Sequence, residues 1–319
     1  MIDDDRVLAL NARMRVVVIM LLAACHAAGS TSGSMDIDAS PMADGSAIIP
    51  PTDCSSRTAQ PLDATWTVMV GTTARTTLVH VPASYDPMVP TPVVIDLHGL
   101  GGDGAMEAAL TSANAKSDMA GFISVHPNGA TVPGSWNAGG CCGTAPSQNI
   151  DDIGFMKQLV DDLDAKLCVD DARVFAMGMS NGGYMSHRIG CELADRFAAI
   201  GPVAGGIATA TCAPSRPVPV FAIHGNADPL VEYSFGQSSA NAWATGNGCT
   251  TTTTTFTNGV ASCVTHGGCT AGADVVFCTI DQGGHQWPGG ETLPLLGNNT
   301  TDIVATDAIW TFFVAHPKP

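Results

Sequence analysis

"RVFAMGMSNGGYMSHRIGCELA", Arg173 to Ala194, is the stretch on which the reading of this chain turns. Its opening, "RVFAM", is a short apolar run of the kind that forms a strand covered on both faces. Its end, "NGGYMSHRIGCELA", reads as a helix. Between them "GMSNGG" (Gly178–Gly183) must turn strand into helix within a few residues. Gly178 and Gly182 lack the side chains that so tight a turn would exclude. A G-x-S-x-G sequence in this setting lifts its serine, Ser180, above the sheet edge, beside a helix N-terminus whose free amides favour negative charge. Ser180 is therefore read as a nucleophile and not as one more serine in a glycine-rich loop.

The flanking sequence repeats the pattern. "TPVVIDLHG", "GFISVHPNG", "FAAIGPVAGG", "PVPVFAIHG" and "DVVFCTID" are further apolar runs. Helical patterns lie between or after them at 104–120, 151–167, 181–194, 233–244 and 302–315. Alternation of this kind predicts an α/β domain with a mostly parallel sheet and helices on both faces. "WTVMVGTTARTTLVHVPA" has no helix between its halves and predicts an antiparallel hairpin leading that sheet. The threonine run 250–255, in a Thr/Gly/Cys-rich excursion, is expected to be a surface loop pinned by disulfides.

Composition narrows the partners. Only 13% of the 319 residues are charged, and 29 acidic against 13 basic residues give a net charge of −16. Such a surface argues against nucleic acid and anionic polymers and suits a neutral substrate. No apolar run is long enough to span a bilayer.

The N-terminal region is read as targeting sequence. Arg13 and Arg15 precede "VVVIMLL" (Val16–Leu22), which runs into small residues at "AAC", the layout of a signal peptide. The acidic "MIDDD" ahead of it suits a start at Met14 better than one at Met1. "LAAC" (Leu22–Cys25) resembles a bacterial lipobox, so Cys25 is a candidate for lipidation, the alternative being an ordinary cleavable signal. Residues 26–60 are rich in Gly, Ser, Ala and Asp and read as a tether, and 61–319 as the catalytic domain. Of 11 cysteines, setting Cys25 aside leaves ten, an even number suited to five disulfides in an oxidising compartment. Adjacent Cys141 and Cys142 are expected to pair with other partners. No zinc-ligand spacing is present, so His126 reads as structural.

A serine nucleophile needs a base, and the base an orienting acid, in the chain order Ser, Asp/Glu, His on loops after later strands. "FAIHGNADPLVE" offers Asp228 and "DVVFCTIDQGGHQWPGG" offers His285, both at carboxyl ends of strands, where open α/β sheets place their sites. Glu232 and Asp281 are rival acids; His224, His187 and His266 are rival bases. Oxyanion-hole donors are expected from the backbone amides of Asn181, after the nucleophile, and Leu100, in "LHGLGGDG". Trp136 and Trp287 lie near these loops in sequence. They are candidates for flat walls against an aromatic acid or sugar ring, or for packing beneath the loops.

"LHGLGG", "GSWNAGGCCG", "DDIGF", the long segment Cys168–Gly206, "HGNADP" and "GGHQWPGG" together resemble the polyhydroxybutyrate depolymerase/feruloyl esterase family of α/β-hydrolases. The resemblance spans roughly residues 78–317, with serine, acid and histidine motifs in the family's order. It implies hydrolysis of carboxylic esters without metal or organic cofactor, on polyester or on hydroxycinnamoyl and acetyl esters of plant polysaccharide. Two departures from the polymer-degrading members tilt the expectation towards feruloyl or acetyl esters. The sequence stops soon after the catalytic region, and Leu100 stands where those members tend to carry a polar residue. The expected protein is an exported monomer that meets a membrane only through an N-terminal lipid. A prolyl-oligopeptidase-type peptidase would add a propeller, and a non-catalytic binding protein would have lost a triad member.

Overall fold

The computed structural model describes residues 54, 55 and 57–319. The signal sequence, Cys25 and all but the end of the tether lie outside them. In chain order the strands are β1 (Asp63–Val70), β2 (Thr73–His80), β3 (Thr91–Leu97), β4 (Ile123–Pro127), β5 (Val169–Met179), β6 (Ala199–Val203), β7 (Val220–Gly225), β8 (Thr251–Asn258), β9 (Ala261–Gly267) and β10 (Val275–Ile280). The helices are α1 (Gly104–Thr111), α2 (Ala113–Ala120), α3 (Asp152–Lys166), α4 (Asn181–Glu192), α5 (Tyr233–Gly246) and α6 (Ala305–Ala315).

All ten strands join one sheet in the order β1-β2-β4-β3-β5-β6-β7-β10-β9-β8. From β4 to β10 neighbouring strands run parallel. The β1–β2 hairpin extends one edge antiparallel, as expected from its helix-free sequence. Every residue of β3, β4, β6 and β7 is buried, which is why these strands read as unbroken apolar runs. Phe155, Leu159, Met185, Ile189 and Trp243 pack in one core cluster. Phe175, Phe221, Ile309 and Phe313 pack in a second.

One feature of the topology locates the crevice. The chain goes from β3 to β4 on one side, then returns to place β5 on the other side of β3. Strand order reverses there, and loops leaving the carboxyl ends of β3 and β5 diverge to leave a cleft.

The structure departs from the sequence reading in several places. The helical stretch from Gly104 breaks at Ser112, whose φ of 54° divides it into α1 and α2. The last helix begins at Ala305. The threonine run is no loop: it forms most of β8, an edge strand exposed along its whole length and paired with β9. β-branched threonines favour extended backbone, and their hydroxyls suit an edge that faces water. Five disulfides form as expected in number: Cys54–Cys168, Cys141–Cys142, Cys191–Cys212, Cys249–Cys269 and Cys263–Cys278. Cys141 and Cys142 pair with each other, contrary to expectation, because every other described cysteine has a partner elsewhere. No helix among the described residues is long and apolar enough to cross a membrane.

Candidate active site

Ser180 sits between the end of β5 and the first residue of α4 with φ 55° and ψ −120°, a conformation that L-residues seldom adopt. Its amide donates to the Val203 carbonyl at 2.9 Å, which fixes the turn to β6. The glycines around it are needed for space. A Cβ on Gly178 would lie 2.5 Å from the Leu97 carbonyl oxygen, and one on Gly182 would collide with the same atom. Replacing either would push the elbow away from β3.

His285 follows β10, and Asp228 follows β7. The Nδ1 of His285 and Oδ2 of Asp228 are 2.7 Å apart, and both side chains are buried. The other oxygen of Asp228 accepts from the amides of Leu230 and Val231 at 2.8 and 2.9 Å. Burial opposes the ionised form of Asp228. The charge of His285 and hydrogen bonds from His224, His285 and Val231 outweigh it and hold the carboxyl well below the usual carboxylate range. Nε2 of His285 is buried and has no hydrogen-bond partner. His285 and Ser180 border one cleft of about 660 Å³.

The rival groups are otherwise engaged. Asp281 accepts from Asn226 at the surface, and Glu232, at the N-cap position of α5, accepts from the Ser234 hydroxyl at 3.5 Å on the surface. His224 lies against the Val231 carbonyl at 3.0 Å, bracing the Asp228 loop. His187 accepts from the indole of Trp243 and is kept neutral by burial, its pKa lowered to about 3. His266 lies on β9, 3.2 Å from Thr252. His126 bridges Ser124 and Asn114 inside the core.

Leu100 borders the cleft, and Asn181 opens α4. Among the described residues neither of their amides donates to a backbone acceptor outside the helices and strands; for Asn181 this is because a helix first turn leaves its N–H groups free. The Leu100 turn is rigid for a reason the sequence did not reveal. His98 donates from Nδ1 to the Gly99 carbonyl at 2.7 Å and accepts at Nε2 from the Gly129 amide at 2.9 Å. Burial lowers its pKa to about 4, so the ring is neutral and can fill both roles.

The two tryptophans do not wall the cleft. Both are 0% exposed and neither borders it. Trp136 lies beneath the Leu100 turn and donates from Nε1 to the His98 carbonyl at 2.9 Å. Its backbone exchanges two hydrogen bonds with the Asn181 side chain, at 2.7 and 3.1 Å, joining the "GSWNAGG" loop to the elbow. Trp287 donates to Thr306 at the start of α6. A large ring one or two residues from a catalytic loop satisfies its N–H by packing under that loop, so the walls of the cleft come from elsewhere. Met106, Glu107 and Leu110 of α1, with Leu293 and Leu296 beyond His285, supply them. Sequence reading treated these as ordinary helix and loop residues; no motif marks them. Glu291 stands exposed at the rim.

Comparison with known proteins identifies the family and the fold. The model of the phospholipase/carboxylesterase family matches residues 84–266, more than half of the chain. Feruloyl esterase B of Piromyces equi is 32% identical over 235 residues, which cover 66% of this chain and 42% of that enzyme. The match thus spans less than half of the Piromyces protein's length. Feruloyl esterase C of Emericella nidulans is 27% identical over 242 residues, covering 75% of this chain and 83% of that one. Acetyl xylan esterase from Aspergillus awamori shares the fold, with a TM-score of 0.56 at 16% identity over 70% of this chain and 94% of that one. So does a ferulic acid esterase from Anaeromyces mucronatus, at 0.52 and 16%, covering 82% and 94%.

Proposed function

This chain belongs to the phospholipase/carboxylesterase family and is a carboxylic ester hydrolase, and on that premise we propose that it works through a Ser180–His285–Asp228 triad on feruloyl or acetyl esters of plant polysaccharide. The observation that carries the triad is the buried 2.7 Å contact between His285 and a doubly amide-bound Asp228, with the far nitrogen of the ring unpartnered in the cleft that Ser180 borders. Asp228 fixes the imidazole with its proton on Nδ1 and stabilises the imidazolium that forms later. Nε2 takes the Ser180 proton as Oγ attacks the ester carbonyl. The tetrahedral oxyanion is received by the Leu100 and Asn181 amides. His285 then gives its proton to the leaving alcohol, and water attacks the acyl-serine by the same route in reverse.

The acyl specificity rests on the feruloyl and acetylxylan esterase relatives. A second reading has its own support. Met106, Leu110, Met179, Leu293 and Leu296 make the walls aliphatic, and among the described residues no Phe, Tyr or Trp borders the cleft, which suits an aliphatic acyl chain such as a polyhydroxybutyrate oligomer. The signal layout and the disulfides support an extracytoplasmic site of action, with Cys25 as the candidate anchor. The test is direct. A fluorophosphonate should label Ser180 alone, and Ser180→Ala should lose at least about three orders of magnitude in kcat. Labelling elsewhere, or retained activity, would refute the triad. Hydrolysis rates on methyl ferulate, acetylated xylan and hydroxybutyrate oligomers decide between the acyl groups.

A further inference from the structure

The cleft wall contains one group for which ester hydrolysis has given no use. Glu107, in the first turn of α1, is 3% exposed, and its Oε1 is buried without a hydrogen-bond partner. Asp96, next to last in β3, is fully buried. Its Oδ2 accepts from Thr111 at 2.6 Å and lies 3.4 Å from Nδ1 of His126, but its Oδ1 is also buried and unpartnered. Two ionised carboxylates here would repel each other in a dry interior and leave two acceptors without donors. Carboxylates only accept; one proton turns one of them into a donor and removes one of the charges.

We propose that Glu107 holds a proton shared with Asp96, and that this acid pair is a positioning element that seats the Gly99–Leu100 backbone against the Ser180 elbow. Its consequence for rate rests on the serine-esterase reading; the proton itself does not. The placement supports both halves. Burial first, then the charge of Asp96, push the Glu107 carboxyl well above its ordinary range, while the Gly99 and Met179 amides pull the other way. Those two amides lie one residue before Leu100 and two before Asn181, so one carboxyl is within electrostatic reach of both donors proposed for the oxyanion. The two sides also touch. A Cβ on Gly99 would meet Ser180 Cβ at 3.5 Å and the Met179 carbonyl oxygen at 3.6 Å. A negative charge on Glu107 would oppose the oxyanion developing nearby, whereas a neutral acid does not. The other titratable groups around it are Asp96 on β3, His126 on β4 facing Asp96, and His285 and Glu291 on the cleft.

The experiment is infrared difference spectroscopy on the intact protein, with pH profiles of the same samples. Wild type at neutral pH should show the carbonyl stretch of a buried protonated carboxyl, absent from Glu107→Gln and lost from wild type only on the alkaline side. Glu107→Ala should lower kcat at least about tenfold with KM changed less than about threefold. Glu107→Gln, the isostere of the neutral acid, should rescue most of that loss and abolish the alkaline decline of kcat/KM. A missing band, a band unchanged in Glu107→Gln, or an alkaline decline that persists in it would overturn the proposal. Because the band needs no turnover, failure of the esterase reading would appear instead as an unlabelled Ser180 with the band intact.

Discussion

Asp228, behind His285, and Glu107, in the wall that also contains Ser180, are both buried acids serving one cleft. Burial penalises the charge of each, yet the outcomes are opposite. Asp228 faces an imidazole and two backbone amides, and His224 stands behind it. These hold it ionised. Thr111 Oγ1 bonds both the Glu107 carbonyl and Asp96, and the negative charge of Asp96 adds to the cost of burying Glu107. The comparison teaches that depth does not set protonation here; the sign is decided by what lies within a few ångströms. It also divides the labour of the site. Under the proposed triad, the ionised acid holds the base, and the neutral one sits where a charge would oppose the oxyanion.

The strongest way to break this contrast is to neutralise both acids. Asp228→Asn leaves a side chain of the same shape that no longer demands a proton on Nδ1 of His285, so the ring can present the wrong tautomer to Ser180. A loss of about four orders of magnitude in kcat is expected, by analogy with triads in which this change has been made. Glu107→Gln removes only a proton's worth of charge freedom and should lose far less. Rates on p-nitrophenyl acetate measure both, and similar losses in the two variants would mean that the two acids do not differ in role.

The next largest effect separates the wall of the cleft from what stands behind it. Trp136 and Trp287 are fully buried, so truncation of either to alanine should cost about 3–5 kcal/mol of stability. The ratio of kcat/KM for methyl ferulate over p-nitrophenyl acetate should stay unchanged wherever the variants fold. Leu110→Ala, which alters the wall itself, should move that ratio while leaving the tryptophans in place. Urea unfolding and the two-substrate ratio together make the check.

How much of the fold and of the candidate site is legible depends on where each kind of information resides in the chain. The elbow was legible because a strand, a helix and two obligatory glycines are all local, and Gly178 and Gly182 have no other reason to flank Ser180. Asp228 and His285 were legible because each ends a buried strand, which limits where its loop can go. The cleft walls were not. Met106, Leu110, Leu293 and Leu296 look like any apolar residues until the fold brings α1 and the segment after His285 together. The tryptophans misled for the same reason: nearness in sequence to a catalytic loop does not say on which side of it a ring lies. Glu107 escaped notice because a glutamate in a helix first turn is commonplace, and only burial beside Asp96 gives it meaning. The β8 threonines do not announce a strand in the sequence because no apolar alternation marks an edge strand with all residues exposed.

The smallest effect is the most discriminating, because it tests the sign of each shift rather than the presence of a group. Asp228 is depressed in the folded protein, so the stability it contributes is present above its unfolded value near 3.8 and is lost as pH falls below that. Glu107 is raised, so its contribution is fully present below its unfolded value near 4.5 and is lost as pH climbs towards the folded one, since the native state then holds a proton the unfolded chain has released. Each can tilt stability by at most about 1.4 kcal/mol per pH unit. Glu107→Gln cannot release that proton, so its stability relative to wild type should improve steadily as pH rises from 5 to 8, by at most about 1.4 kcal/mol per pH unit. Asp228→Asn should differ from wild type in slope in acid, where the wild-type carboxylate takes up its proton. Urea midpoints at stepped pH values give both slopes. A Glu107→Gln gap that stays flat from pH 5 to pH 8 would mean that Glu107 titrates normally in the folded protein, and the opposition between the two acids would reduce to Asp228 alone.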